Sequence, residues 1–109
     1  MIFGPNSKMN TWTGGAFENK YAEKDLSIFG SNNRIVNSYS CKLTVIETGA
    51  LQCVLDGGFY HNIIINDKAE STRVENLTFN HWNKSHPEVQ TITDNGVNSK
   101  ISGLRRGGK

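Results

Sequence analysis

A glycine pair with an apolar residue behind it and an asparagine closing the segment occurs twice in this chain. Thr13-Gly14-Gly15-Ala16-Phe17-Glu18-Asn19 aligns without gaps on Asp56-Gly57-Gly58-Phe59-Tyr60-His61-Asn62, 43 residues later. A second pattern, Ile65-Asn66-Asp67 followed by Thr72-Arg73-Val74-Glu75-Asn76-Leu77, aligns on Ile92-Thr93-Asp94 followed by Ser99-Lys100-Ile101-Ser102-Gly103-Leu104, 27 residues later. Asn33-Arg34-Ile35-Val36-Asn37-Ser38-Tyr39 repeats the order of small or polar residue, cation, β-branched residue and Asn or Gly. Self-similarity at a period of roughly 20 to 50 residues marks a stacked architecture. The recurrent Asn or Gly marks a backbone position at positive φ, which these residues accept at least cost.

The recurring unit is a short strand with a fixed turn after it. Apolar runs have strand lengths, as in Cys41-Lys42-Leu43-Thr44-Val45-Ile46, and no segment sustains a helical apolar stripe. Coiling such units into a solenoid adds one strand per coil to each of two or three parallel sheets. Period-two alternation then turns Ile35, Val74 and Ile101 inward as an aliphatic ladder and Arg34, Arg73 and Lys100 outward. Only 36% of the 109 residues are hydrophobic, which suits the thin core of a solenoid better than a thick sandwich or a helical bundle. The length indicates one domain, 1–109, or a fragment of a longer fibre, with 1–10 and 105–109 peripheral. At roughly 20 to 30 residues per repeat it holds about four coils. That is near the minimum for a continuous core, and open coils leave strand edges that invite another chain.

These residues resemble the right-handed parallel β-helix of pectate-lyase-like proteins, and within that class the tailspikes, tail fibres and appendages of bacteriophages. The resemblance rests on the two Gly-Gly turns and on the Arg34-Ile35-Val36-Asn37, Arg73-Val74-Glu75-Asn76-Leu77 and Lys100-Ile101-Ser102-Gly103-Leu104 segments, and it covers most of the chain from Thr11 to Leu104. It implies an all-β, right-handed parallel β-helix, a homotrimer, a place in the virion tail among other tail proteins, and host attachment through a bacterial surface polysaccharide. Outside a virus, the matching location is extracellular or at the cell surface. The irregular spacing of the repeats leaves two other folds open, an interwoven trimeric β-prism and a β-sandwich.

No GxSxG, HExxH or P-loop motif is present, and no cofactor is indicated. Spikes of this class that cut glycosidic bonds use two carboxylates. On the 27-residue alignment Asp67 and Asp94 would stack about 4.8 Å apart, near the roughly 5 to 5.5 Å of a retaining pair. Glu75 is the third candidate. The competing reading makes such an Asp, beside Asn or Gly, an acceptor for turn N–H groups, with Glu18 and Asp56 structural in the same way. Aromatic residues give the better binding signal: Tyr60, His61 and Trp82 with Asn80 and Asn83 would combine apolar platforms with amides, the chemistry a neutral glycan needs. Phe17, Phe59 and Phe79 are assigned to packing. Three functions follow: a structural module that recognises host glycan without catalysis, a polysaccharide depolymerase of glycoside hydrolase type using Asp67, Asp94 or Glu75, and a trimerisation domain with no ligand.

Net charge is +2, from 12 Lys and Arg against 10 Asp and Glu, which gives no electrostatic reason for nucleic acid. The basic cluster Arg105, Arg106 and Lys109 reads as a solvated tail. His61, His81 and His86 do not converge on a metal by their spacing. Cys41 and Cys53 are either a pair or two buried thiols. The longest apolar cluster, Ile63-Ile64-Ile65, is far short of the roughly 20 residues of a bilayer span, so no membrane insertion is expected.

Overall fold

The computed structural model describes residues 1–18, 23–80 and 92–107. Among the described residues there are thirteen strands and no helix. The first rung holds β1 (Ile2–Phe3), β2 (Thr11–Thr13) and β3 (Ala16–Phe17). Then come β4 (Leu26–Ile28) with β5 (Arg34–Ser40), and β6 (Leu43–Ile46) with β7 (Val54–Tyr60). β8 (Asn62–Ile65), β9 (Arg73–Glu75) and β10 (Thr78–Asn80) form the fourth rung, and β11 (Ile92–Asp94), β12 (Lys100–Ser102) and β13 (Arg105–Gly107) the last. All pairings between these strands are parallel. One sheet runs β1-β4-β6-β8-β11, and the remaining eight strands form a second, in which β5 and β7 continue across a corner. The chain is a parallel β-helix, three interior coils between two end rungs. Parallel pairing throughout excludes the sandwich.

Two columns of left-handed residues turn the chain at the same place on every rung. The first is Gly14, Asn37, Gly57, Asn76 and Gly103, with φ of 78°, 51°, 70°, 59° and 64°. These are the Asn and Gly positions of the repeats, so the positive φ expected there is present. The second is Met9, Asn32, Gln52, Ser71 and Asn98, with φ between 53° and 57°, each following a residue bridged to a neighbouring rung.

The core lies between the sheets. Ile35, Leu55 and Val74 are stacked in register and wholly buried, each removing an aliphatic side chain from water at about 1.5–3 kcal/mol. Trp12 and Ile101 occupy the two ends of that column and stay 40% and 38% exposed, because among the described residues no strand pairs on their outer side. Arg34, Arg73 and Lys100 point outward as alternation requires. At the first corner the interior is polar. Asn33, fully buried, donates to Ser7 Oγ (2.9 Å) and Phe29 O (3.0 Å) and accepts from the Asn10 backbone and side-chain amides (3.2 Å each).

Several sequence expectations change here. The 43-residue alignment holds, but it spans two coils: Thr13 pairs with Val36 and Val36 with Asp56. The 27-residue alignment holds for β9 and β12 and fails for β8 and β11, where Ile92 pairs with Ile63. The turn after β11 is shorter, which shifts the register of everything before it. Residues 105–107, expected in a solvated tail, form β13 on β10. Within 1–10, expected to be peripheral, β1 pairs with β4 and Phe3 is 8% exposed.

Candidate functional site

The corner between the second sheet and the first differs from rung to rung. Two residues, Cys41 and Lys42, link β5 to β6, and His61 alone links β7 to β8, whereas 18–25 separate β3 from β4 and 81–91 separate β10 from β11. At the tight corners lies a cleft of about 690 Å³. Leu43 and Ile64 give it an apolar wall backed by the wholly buried Ile63, and Glu23, Cys41, Lys42, His61, Asn62 and Thr93 a polar rim. The mixture suits a ligand with apolar faces and polar edges.

Beneath the rim is a polar cluster. Asp25 is 1% exposed, its carboxylate accepts from the Lys42 backbone N–H and from Ser40 Oγ (3.4 Å), and Thr44 Oγ1 donates to Ser40 Oγ at 2.8 Å. Burial pushes the pKa of the half-buried His61 down, and the Asp25 charge draws it part of the way back. The imidazole is therefore largely neutral at pH 7, with its shielded Nδ1 lacking a hydrogen-bond partner. Burial, then Asp25 and Glu18, raise the Cys41 pKa, against a smaller opposing effect of Lys42. The protonated thiol is a poor nucleophile. Cys41 and the buried Cys53 are both free, so they are not a disulfide pair.

The aromatic assignment is reversed at one rung. Tyr60, read as a glycan platform, is wholly buried, while Phe59, read as packing, is 48% exposed. Alternation runs inward at Leu55 and outward at Asp56, but the left-handed Gly57 turns the corner and resets the parity, so Tyr60 faces in. Phe17 and Phe79 are buried as expected. Phe59 stacks at 6.2 Å between ring centroids on Tyr39 of the rung before. This outer aromatic pair, missed in the sequence, stands two residues before the Cys41 and His61 corners. Repeat alignment could have found it by carrying the buried Phe17 onto Tyr60. The phenol of Tyr60 has no hydrogen-bond partner, and burial raises its pKa. Removing that hydroxyl in Tyr60→Phe should stabilise the fold by about 1 kcal/mol, the lower part of the cost of an unpaired buried polar group, read as a higher urea midpoint.

The carboxylates are not arranged as the alignment suggested. Asp94 pairs with Ile65, not Asp67, so these two do not form a stacked pair. Asp94 accepts from Gly96 N (2.9 Å) and Ser99 Oγ (3.0 Å), the turn role weighed against catalysis, whereas Asp67 accepts from the Thr48 hydroxyl (3.1 Å) of the rung before, a side-chain bond and not a turn N–H. Glu75 takes Arg73 at 3.2 Å. Its rung partner is Asp56, which takes Arg34 at 2.7 Å; the stacked carboxylate pair thus has other members, each neutralised by an arginine. Asn80 ends β10 opposite Gly107. Trp82, Asn83, His81 and His86 lie outside the described residues. Among those described, no three His, Cys, Asp or Glu converge to hold a metal.

No protein-family model, curated protein or solved structure matches the chain. Fold and site define it as a parallel β-helix with a cleft at one corner.

Proposed function

We propose that the chain is a structural, glycan-recognising β-helical module of the kind that builds phage tailspikes and tail fibres, working as a homotrimer in the virion tail on a bacterial surface polysaccharide. The observation that carries this reading is the Tyr39–Phe59 pair, half-buried at Tyr39 and exposed at Phe59, two residues before a cleft with an apolar wall and a polar rim. Sugar rings present apolar faces to aromatic side chains and hydroxyls to amides and imidazoles. A covalent mechanism has less support, since Asp94 is held by its own turn, Asp67 takes a threonine hydroxyl and Glu75 an arginine.

Phe59→Ala removes half of the aromatic pair from the surface and should leave stability within about 0.5 kcal/mol, as surface changes usually do. On an array of bacterial polysaccharides it should lower binding at least tenfold, and His61→Ala should lower it as well. Light scattering on the same samples should give a mass three times that of the chain. Undiminished glycan binding by both variants would remove the recognition role, and a monomer would remove the trimer.

A further inference from the structure

Repetition makes the two end faces of this stack fit each other. The backbone N–H groups of Met9, Asn32, Gln52 and Ser71 each donate to the rung after, and those of Ser31, Leu51, Glu70 and Val97 each donate to the rung before. The remaining members of these two series are Asn98 N–H on the last rung and Lys8 N–H on the first, and neither has such a partner among the described residues. A second copy laid end to end supplies both by continuing the parallel register, with its Lys8 beside Val97 and its Trp12 on Ile101. The shapes agree as well. The first rung carries a hollow of about 320 Å³ walled by Met1, Ile2 and Trp12, and the last rung offers Ile101 and Leu104, 38% and 42% exposed.

Asp94 opposes that contact. Its column is apolar on four rungs, with Phe3, Ile28, Ile46 and Ile65 in register and buried. On the fifth rung Asp94 takes the place opposite Ile65. The turn does not require it: Ile28 stands three residues before the bridged Ser31, as Asp94 does before the bridged Val97, with a glycine between in both cases. Isoleucine therefore serves at a turn of the same length. Only Oδ1 of the Asp94 carboxylate is hydrogen-bonded, by Gly96 N and Ser99 Oγ. Among the described residues no cation pairs with it. A second copy in this register would lay its Phe3 over that carboxylate. Stripping water from an ionised oxygen with no partner in exchange is the cost that keeps unpaired charges out of interiors. The second copy's Lys8 brings no relief, because it continues the exposed series of Leu51, Glu70 and Val97 outside the core.

We infer that Asp94 ends the stack: it holds the hollow of one copy off the last rung of another, and so blocks an end-to-end contact for which the rest of both faces is built. Inward-pointing charge is one of the means by which exposed strand edges are kept from pairing. The inference rests on neither the cleft nor the trimer proposed above. A lateral trimer leaves both end faces free, so the two readings fail separately.

Light scattering across a dilution series of the full chain reads the effect. The parent should keep one mass at every concentration, whatever number of chains that mass contains. Asp94→Ile restores the residue of Ile28 and should polymerise, since a head-to-tail contact does not close; its mass should rise with concentration to at least tenfold that of the parent, with fibres in electron micrographs. Asp94→Asn keeps an acceptor for Gly96 N and Ser99 Oγ but not the charge, and should self-associate at least tenfold more tightly than the parent. It carries the test where circular dichroism shows the isoleucine variant unfolded. Trp12→Glu added to Asp94→Ile spoils the first-rung face alone and should return the mass to that of the parent. Mixed with Asp94→Ile, this double variant should shorten the polymers, because it can join one end and cannot be extended. A parent whose mass grows with concentration, folded Asp94 variants that keep the parent's mass, or polymers that Trp12→Glu neither prevents nor shortens would each overturn the inference.

Discussion

Gly58→Ala is expected to destabilise the protein by about 2–5 kcal/mol, combining the cost of an L residue at positive φ with that of forcing atoms into a filled space. Gly58 sits at φ 99°, and a Cβ there would run into the Ser38 carbonyl oxygen and lie 2.7 Å from Ser38 N. Both are backbone atoms of the rung below, so no rotamer change relieves the overlap. Gly49 is the control. At φ 86° it has nothing within 4 Å of a built Cβ, and Gly49→Ala should cost only the conformational part, about 1 kcal/mol. Urea denaturation of the two variants checks this. Equal midpoints would mean that the rungs are not in close contact at this corner. A loss of this size is a large fraction of the roughly 5–15 kcal/mol that holds a domain together.

Leu55→Ala should cost about 2–5 kcal/mol, the range for a buried leucine that leaves a cavity. Leu55 lies between Ile35 and Val74, and all three are at zero exposure. Neither neighbour can move in without breaking the rung spacing set by backbone hydrogen bonds, which favours the upper part of the range. The same ladder ends in Ile101, 38% exposed, and Ile101→Ala should cost less than half as much. A graded loss from centre to end is what a stack of nearest-neighbour contacts predicts. Equal losses at both positions in urea titrations would mean that the last rung is covered in solution.

Much of the architecture was legible because it is built from local rules repeated along the chain. Asn37, Asn76 and the glycines at 14, 57 and 103 announce a recurrent positive φ, and every one adopts it. The in-and-out assignment of Ile35 and Val74 against Arg34 and Arg73 needed only the two-residue period of a strand. The 43-residue alignment was correct in register although it skipped a coil, because Asn37-Ser38 replaces the Gly-Gly pair on the rung between and hides it.

The candidate site was less legible, and each error has a cause. Phe59 and Tyr60 exchanged roles because parity does not carry through a left-handed corner residue. Asp67 and Asp94 were aligned through a turn that is shorter on one rung, so their equivalence vanished while that of Arg73 and Lys100 survived. Residues 105–107 looked like a charged tail because their composition is that of a tail; they became a strand because β10 offers an unpaired edge at that place.

By itself the sequence determined that this chain stacks short strands through turns of fixed hand, with a thin aliphatic ladder inside. Those properties depend on residues within one coil, where backbone sterics and side-chain alternation act over a few positions. Only the tertiary structure decided which coils neighbour each other in register. It alone brought Phe59 over Tyr39, His61 to the corner beside Cys41, and Gln52 into line with Asn32 and Ser71. Those juxtapositions depend on the length of every loop between the coils, since one residue more or less shifts the pairing of a strand by a full position.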